Sequence, residues 1–220
     1  AQKVEPGDTI DAASLSQLDS GVRLVSSHAK PHADLTAIHN LHRFCLLRWP
    51  MARVASAYNF ERRQGSMSQG GLSAKKASKL NFNEWVAWQL EKSANGIIAD
   101  FQVSFLTSSS SRKVIDQSDT QRALKILETS IHFGLVEEFR LSLKMFTAEL
   151  KKSGVIAPEA KVEVEPHVNI TSFSQGNDET EAKLRENLET ETYKELKRRN
   201  RQDLELYARA KDLFWSNISK

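Results

Sequence analysis

The chain has 220 residues, of which 40% are hydrophobic and 27% are charged, and its formal net charge is +3. This length suits one domain with a substantial buried core. No apolar run approaches the roughly 18 residues of a membrane span, which argues against an integral membrane segment in this chain. The small positive excess, without a concentrated basic face, argues against a nucleic-acid-binding protein. The single cysteine, Cys45, lies within an apolar run and predicts a buried thiol.

The predicted elements of the first half begin after an irregular or truncated N-terminal stretch, residues 1–19. Residues 21–26 and 44–47 are short apolar runs rich in strand formers, which is typical of buried strands in a parallel sheet. Pro50 suits the first turn of a helix, because its missing N–H would be unpaired there. Residues 62–79 are rich in Gly, Ser and Lys without an apolar period. They predict a flexible surface loop, either a plain connection or a flap that faces the substrate.

The second half is predicted to be mainly helical. Residues 81–90 carry a helical apolar pattern, Asp119 suits the N-cap of a further helix, and residues 139–150 place apolar side chains on one face. A charged helical segment follows at residues 178–218. Its apolar stripe consists of Leu206, Tyr207, Ala210, Leu213 and Phe214. We expect this stripe to pack on the core, with a partner-binding surface as the alternative.

Arg48 stands where the predicted strand 44–47 meets the helix that starts at Pro50. Ligands bind at the carboxyl ends of parallel strands in α/β sheets, and the N-terminal amides of a helix favour anions. A guanidinium can hold a phosphate with two parallel hydrogen bonds, and the hydroxyl of Ser56 can donate another. Arg48 and Ser56 are therefore candidates for a phosphate clamp. The alternative interpretation is that Arg48 pairs with a carboxylate and Ser56 fills a small packing position.

The pattern Arg48-Trp49-Pro50 followed by Ser56-Ala57-Tyr58 resembles a cofactor motif of the carbohydrate and membrane-associated sulfotransferases, Arg-Asp-Pro and then Ser-x-Tyr. This family, which includes the heparan sulfate 2-O-sulfotransferases, uses 3'-phosphoadenosine 5'-phosphosulfate (PAPS). Further segments resemble the family in the same order along the chain: a Phe-x-x-Phe-Val helix, the loop after it, a Gly-Leu-x-Glu strand and helix, an Asn-containing loop and the terminal helix. They are residues 82–86, 101–107, 133–143, 167–172 and 200–214.

The resemblance implies a fold and a cofactor. The fold is a single three-layer α/β domain over residues 1–220, of the P-loop nucleotide-kinase-like type, with a central parallel sheet flanked by helices. The cofactor is PAPS, with PAP as its desulfated product, and Arg48 and Ser56 would bind the 3'-phosphate. The implied cofactor-binding residues are Arg48, Ser56, Asn169, Thr171 and Ser172.

The resemblance also implies a catalytic base, His28, which follows the first predicted strand as a histidine does in the family. Imidazole has an unperturbed pKa of about 6.5, so it can accept the proton of an attacking hydroxyl at neutral pH. His32 and His39 are rivals for this role, and a surface histidine is the alternative for His28.

Two departures from the family pattern bear on activity. Trp49 replaces the usual aspartate, which removes a local salt bridge or cap. The family's first cofactor element, a strand followed by Pro-Lys-x-Gly-Thr-Thr, is not found, because Pro6-Gly7-Asp8-Thr9 lacks the lysine and a preceding apolar strand. Either a segment before Ala1 carries it, which the start without Met favours, or the chain is a non-catalytic PAP/PAPS-binding or protein-interaction member of the fold.

The expected reaction moves a sulfuryl group from PAPS to an acceptor hydroxyl, with a glycan as the expected partner. No metal is predicted, because the six histidines and single cysteine show no ordered ligand spacing. A nucleotide kinase is disfavoured, since no Gly-x-x-x-x-Gly-Lys-Ser/Thr loop is found. Acceptor identity and oligomeric state have no sequence signal. The predicted compartment is the cytoplasm for a bacterial protein and the Golgi lumen for a trimmed eukaryotic enzyme.

Overall fold

The computed structural model describes the backbone of residues 2–3 and 25–26, and the ranges 41–67, 70–91, 96–109, 114–161 and 177–218. These parts of the chain are mostly helical and contain short parallel strand pairs, so the fold is loosely α/β. The predicted strand–helix alternation is therefore confirmed at this level.

Two parallel strand pairs are present among the described residues. β1 (Gln2–Lys3) pairs with β2 (Val25–Ser26), and β3 (Phe44–Leu47) pairs with β4 (His132–Leu135). The prediction of a strand at 44–47 is confirmed, and the predicted strand 21–26 is confirmed at Val25–Ser26, its other residues lying outside the described ranges. Gln2–Lys3 belong to the predicted N-terminal stretch 1–19, whose other residues lie outside the described ranges.

The helix predicted at Pro50 is α1 (Pro50–Ser66), with Pro50 at its first turn. Trp49 occupies the N-cap without a side-chain cap, in agreement with the expected loss of a capping group. The core-facing side of α1 is apolar and fully buried, with Met51, Val54 and Ala55 at or below 1% exposure.

The predicted loop at 62–79 is wrong for most of its length. Residues 62–66 continue α1, and α2 (Leu72–Ala77) packs against it. The physical reason is close packing of small residues. A Cβ at Gly65 would collide with the carbonyl of Ala74, and Ala74 and Ala77 are buried. Glycine and alanine thus let the two helices pack closely, although this segment has no apolar periodicity that would predict a helix.

Two further helices lie in the middle of the chain. α3 (Phe82–Leu90) confirms the predicted helix, and Asn81 with Glu84 forms its capping box. The segment 101–107, expected from the resemblance to be a loop, instead contains α4 (Phe101–Leu106). A carboxylate about a hundred residues away in sequence caps α4, as described below, and local sequence cannot reveal such a partner.

The next two helices precede and follow β4 in the chain. α5 (Gln117–Thr129) has Asp116 as its N-cap, so the prediction of Asp119 as N-cap is wrong by three positions. Asp119 is the reciprocal member of that capping box. α6 (Phe139–Lys152) follows β4, confirms the helix predicted at 139–150, and ends before Gly154, whose φ is +71°.

The C-terminal part confirms the predicted helical segment but divides it into three helices: α7 (Asn177–Asn187), α8 (Thr190–Arg199) and α9 (Arg201–Ile218). The apolar stripe of α9 packs on the core as expected. Leu206, Ala210 and Phe214 have no exposed surface, Tyr207 is buried and Leu213 is partly buried.

Within the described ranges, none of the helices combines the length and the apolar character needed to cross a bilayer.

Candidate functional site

Arg48 lies at the carboxyl end of β3 and directly before the first turn of α1, as the sequence predicts. Its side chain is half-buried. Burial lowers the pKa of Arg48, and the nearby charge of Glu137 opposes that shift. An arginine with a lowered pKa is still a cation at neutral pH. This end of β3 therefore presents a partly desolvated positive charge beside a helix N-terminus.

The backbone of Arg48 is fixed by the side chain of Gln102, which is buried. The N–H of Arg48 donates to Oε1 of Gln102 at 2.9 Å, and Nε2 of Gln102 donates to the carbonyl of Arg48 at 2.8 Å. One amide thus satisfies both main-chain groups of Arg48. The base of the guanidinium stem is consequently held by α4.

Glu137 holds Trp49, the residue that follows Arg48 between β3 and α1. The N–H of Trp49 donates to Oε1 of Glu137 at 2.9 Å, and the hydroxyl of Tyr207 donates to Oε2 at 2.9 Å. The same carboxylate therefore links this junction between β3 and α1 to α9. Its negative charge also raises the pKa of Arg48, against the effect of burial. The alternative interpretation is that Arg48 pairs with a carboxylate, and the structure does place an acid, Glu137, close to Arg48.

Arg53 is a second arginine at the junction, and the sequence analysis missed it. Its guanidinium lies over the ring of Phe101, 3.6 Å from the centroid, and donates to the carbonyl of Ile97. Burial lowers the pKa of Arg53 to about 10, with a smaller contribution from the charge of Arg48, while the charge of Asp203 opposes the shift. Arg53 precedes Ser56 by three residues on the same helix, and this spacing was the available signal.

Two buried aspartates, one beside each helix start, cap the opposite helix of the pair α4 and α9. Asp203 accepts from the N–H groups of Gln102 and Val103 at 2.9 and 2.8 Å. In return, Oδ1 of Asp100 accepts from the N–H groups of Gln202 and Asp203, both at 3.0 Å. Each carboxylate therefore satisfies amides at the other helix's start. The exchange fixes the position of α4 and thereby of Gln102.

Burial shifts the titration of both carboxyl groups. It raises the pKa of Asp100 to about 7, with the charge of Asp203 adding to the shift and hydrogen bonds from the backbone opposing it. Burial also raises the pKa of Asp203, opposed by its hydrogen bonds and by the charge of Arg53. The negative charge of Asp203, which acts on Arg53, therefore depends on pH.

Ser56 is half-buried in α1, six residues after Pro50. At about 1.5 Å of rise per residue, it lies about 9 Å along the helix axis from Pro50. A phosphate that contacts both Arg48 and Ser56 must therefore lie alongside the first two turns of α1, where Arg53 also belongs. The other predicted site residues, His28, Asn169, Thr171 and Ser172, lie outside the described residues.

Several residues from the segments that resemble the sulfotransferase family prove to be framework contacts. Gln102 and Glu137 hold the junction, and Asp203 caps α4. In the Gly-Leu-x-Glu segment, the hydroxyl of Ser142 donates to the carbonyl of Leu135 and accepts from its N–H at 3.0 and 2.8 Å. Of these residues, Gln102 and Glu137 contact the main chain at the junction of β3 and α1.

Comparison with known proteins gave no match to a family model, to a curated protein or to a solved structure.

Proposed function

We propose that this protein is a PAPS-dependent sulfotransferase with a three-layer, P-loop nucleotide-kinase-like architecture. Its reaction would transfer a sulfuryl group to an acceptor hydroxyl, with a glycan as the expected acceptor. The observation that carries the proposal is the position of Arg48 at the carboxyl end of a parallel strand and beside the start of α1. That position favours a nucleotide phosphate.

The residues around Arg48 support a preorganised anion site. Gln102 and Glu137 hold the main chain of Arg48 and Trp49, so the arginine needs little ordering when a phosphate binds. Its partial burial removes water that would screen a charge-assisted hydrogen bond. In this proposal Arg48 binds the 3'-phosphate through its guanidinium, and the hydroxyl of Ser56 donates a hydrogen bond to it. Arg53, on the same helix, adds positive electrostatic potential.

The chemistry proposed for the chain is a direct, in-line transfer. PAPS supplies the sulfuryl group. His28 would take the proton of the acceptor hydroxyl as the acceptor oxygen bonds to sulfur, and the bond between sulfur and the 5'-phosphate oxygen would break with its electron pair leaving on PAP. Arg48 and Ser56 would orient the nucleotide, and the resemblance implies that Asn169, Thr171 and Ser172 would also bind it. Positioning and charge stabilisation would provide most of the rate enhancement.

The first test is PAP binding to the full chain and to Arg48→Ala, measured by isothermal titration calorimetry. Loss of a bidentate, charge-assisted contact of about 1.5–3 kcal/mol should weaken binding roughly 10- to 100-fold. Arg48→Lys should recover only part of the affinity, because an ammonium cannot form the bidentate fork. Arg140→Ala, an exposed arginine of α6, is the matched control and should bind like the wild type. Equal affinities for Arg48→Ala and wild type would refute the clamp.

A second candidate is a non-catalytic PAP- or PAPS-binding or protein-interaction member of the same fold. The acids around the arginines favour it, because Glu137 and Asp203 offset the charges of Arg48 and Arg53. Incubation with sulfur-labelled PAPS and a panel of glycan acceptors separates the two candidates. Labelled glycan supports the enzyme, whereas PAP binding that depends on Arg48 without any transfer supports the binder.

A further inference from the structure

Three side chains of metal-ligand type meet at the opposite end of the β3–β4 pair from Arg48. His42 precedes β3, His132 is the first residue of β4, and Glu149 projects from α6. Among the described residues, their ligand atoms form a group in which all lie within 4.8 Å of one another. Nε2 of His132 is 3.8 Å from Oε1 of Glu149.

The strand pairing brings the two histidines together. β3 and β4 pair Phe44 with His132, and the N–H of His132 donates to the carbonyl of Arg43 at 2.8 Å. The ring of His132 stacks with that of Phe44 and with that of His42, at centroid distances of 5.2 and 6.2 Å. Phe146 of α6 packs on Phe44 at 5.0 Å, which places α6 and therefore Glu149 beside the histidines. The imidazoles are thus oriented by packing.

A direct interaction between His132 and Glu149 does not explain the cluster well. Their separation of 3.8 Å is longer than a hydrogen bond. An ion pair at this distance would also be partly exposed to water, with side-chain exposures of 43% for His132 and 26% for Glu149. Such pairs contribute little to stability. The direct pair therefore contributes little to holding the three donors together.

We propose that His42, His132 and Glu149 form a binding site for a divalent transition-metal ion, with zinc as the fitting ion. Two imidazole nitrogens and one carboxylate oxygen are a common zinc ligand set, with water in the fourth position. Tetrahedral ligands at about 2.0–2.2 Å from the ion lie about 3.3–3.6 Å apart, so the donors need to close by up to about 1.5 Å. The partial exposure of His132 and Glu149 permits this movement.

The surroundings suit an ion with an open coordination position. A cavity of about 380 Å³ adjoins the cluster and is lined by His132 and Glu149 together with residues of α5, α6 and α9. Water or a small exogenous ligand can therefore reach the fourth position. The ligands lie just before β3, at the start of β4 and on α6. A bound ion would therefore join these three elements and stabilise the fold. The site is separate from the proposed PAP site and does not depend on it.

Zinc chloride titrated into the EDTA-stripped full chain tests the proposal by calorimetry, with Co²⁺ absorption spectra reporting the geometry. The wild type should bind one ion, and its melting temperature should rise with zinc. His132→Gln and Glu149→Gln should each weaken zinc binding at least about tenfold, since even changes in groups that only support ligands cost 10- to 100-fold.

Glu128→Gln is the matched control, because Glu128 lines the same cavity and its loss removes the same charge. It should bind zinc like the wild type. Circular dichroism checks that each variant is folded, and if His132→Gln unfolds, the Glu149→Gln comparison decides. No zinc binding by the wild type, or equal affinity in the wild type and Glu149→Gln, would overturn the proposal. Unchanged binding in His132→Gln would also do so, by assigning the ion to other histidines.

Discussion

Gln102 is the residue whose side chain determines where Arg48 stands. Its amide pairs with both main-chain groups of Arg48, and its own N–H is held by Asp203. An Asn, Glu or apolar side chain cannot reproduce this pattern, because the site needs one acceptor and one donor at glutamine's reach. The amide therefore links the packing of α4 to the geometry of the proposed phosphate site.

Gln102→Leu should destabilise the fold by about 1–3 kcal/mol, because it leaves the N–H and carbonyl of Arg48 without their partner. PAP affinity should fall with it. Urea unfolding measures the first effect and calorimetry the second. Gln117→Leu is the control, since Gln117 is exposed and makes one surface hydrogen bond to Glu205, and it should cost less than about 0.5 kcal/mol. Equal unfolding free energies for the two variants would contradict this role.

At the scale of elements, β4 and α6 meet at Gly134 and Ser142, which are both buried. The hydroxyl of Ser142 bonds both main-chain groups of Leu135, and this requires the helix to approach the strand closely. Gly134 permits the approach, because a Cβ there would lie 2.5 Å from Oγ of Ser142. The strand backbone would have to shift to admit any other residue.

Gly134→Ala should therefore destabilise the fold by about 1–3 kcal/mol, the usual cost of overpacking a core. It should also move β4 and weaken PAP binding through Glu137. Gly71→Ala is the matched control, because no atom lies within 4 Å of a Cβ at that position, and it should cost less than about 1 kcal/mol. Thermal and urea unfolding would compare the two, and a Gly134→Ala protein as stable as Gly71→Ala would disprove the close-packing argument.

At the scale of the whole molecule, opposing carboxyl groups set the pH dependence of stability. In the fold the pKa of Asp100 is raised to about 7, so the native state holds an extra proton and stability falls as pH rises from about 4 to 7. Hydrogen bonds, from Tyr193 and from Arg198 first, lower the pKa of Glu181 and of Glu195 to about 2. Their contribution is present above about pH 4.3 and is lost as pH falls toward 2. The combined contribution of Asp100, Glu181 and Glu195 to stability is therefore greatest near pH 4–5.

Asp100→Asn should reduce the decline of unfolding free energy between pH 5 and 7, by at most about 1.4 kcal/mol per pH unit. Asparagine keeps an oxygen for the N–H groups of Gln202 and Asp203 and tolerates the left-handed backbone at this position, where φ is 39°. Urea unfolding at pH 5, 6 and 7 measures the slope. The exposed Asp212→Asn should keep the wild-type slope, and an Asp100→Asn protein with the same slope as wild type would reject the assignment.

The sequence by itself determined the elements whose signals are local. The apolar run 44–47, Pro50 at the helix start, the helical pattern of residues 81–90 and the stripe of α9 all predict what the structure contains. Strand preference, the preference of proline for a first helical turn and helical periodicity depend on neighbouring residues, so they can be identified without a fold. The placement of Arg48 at a strand–helix junction follows from the same local signals.

Only the tertiary structure decided the features that depend on distant partners. α4 is helical because Asp203 caps it, α2 packs because Gly65 meets Ala74, and Glu137 reaches Trp49 across the sheet. The convergence of His42, His132 and Glu149 likewise arises from strand register and helix packing. These contacts join residues that are far apart in sequence. They form, and stabilise the protein, only when the chain has folded, so no local sequence pattern could predict them.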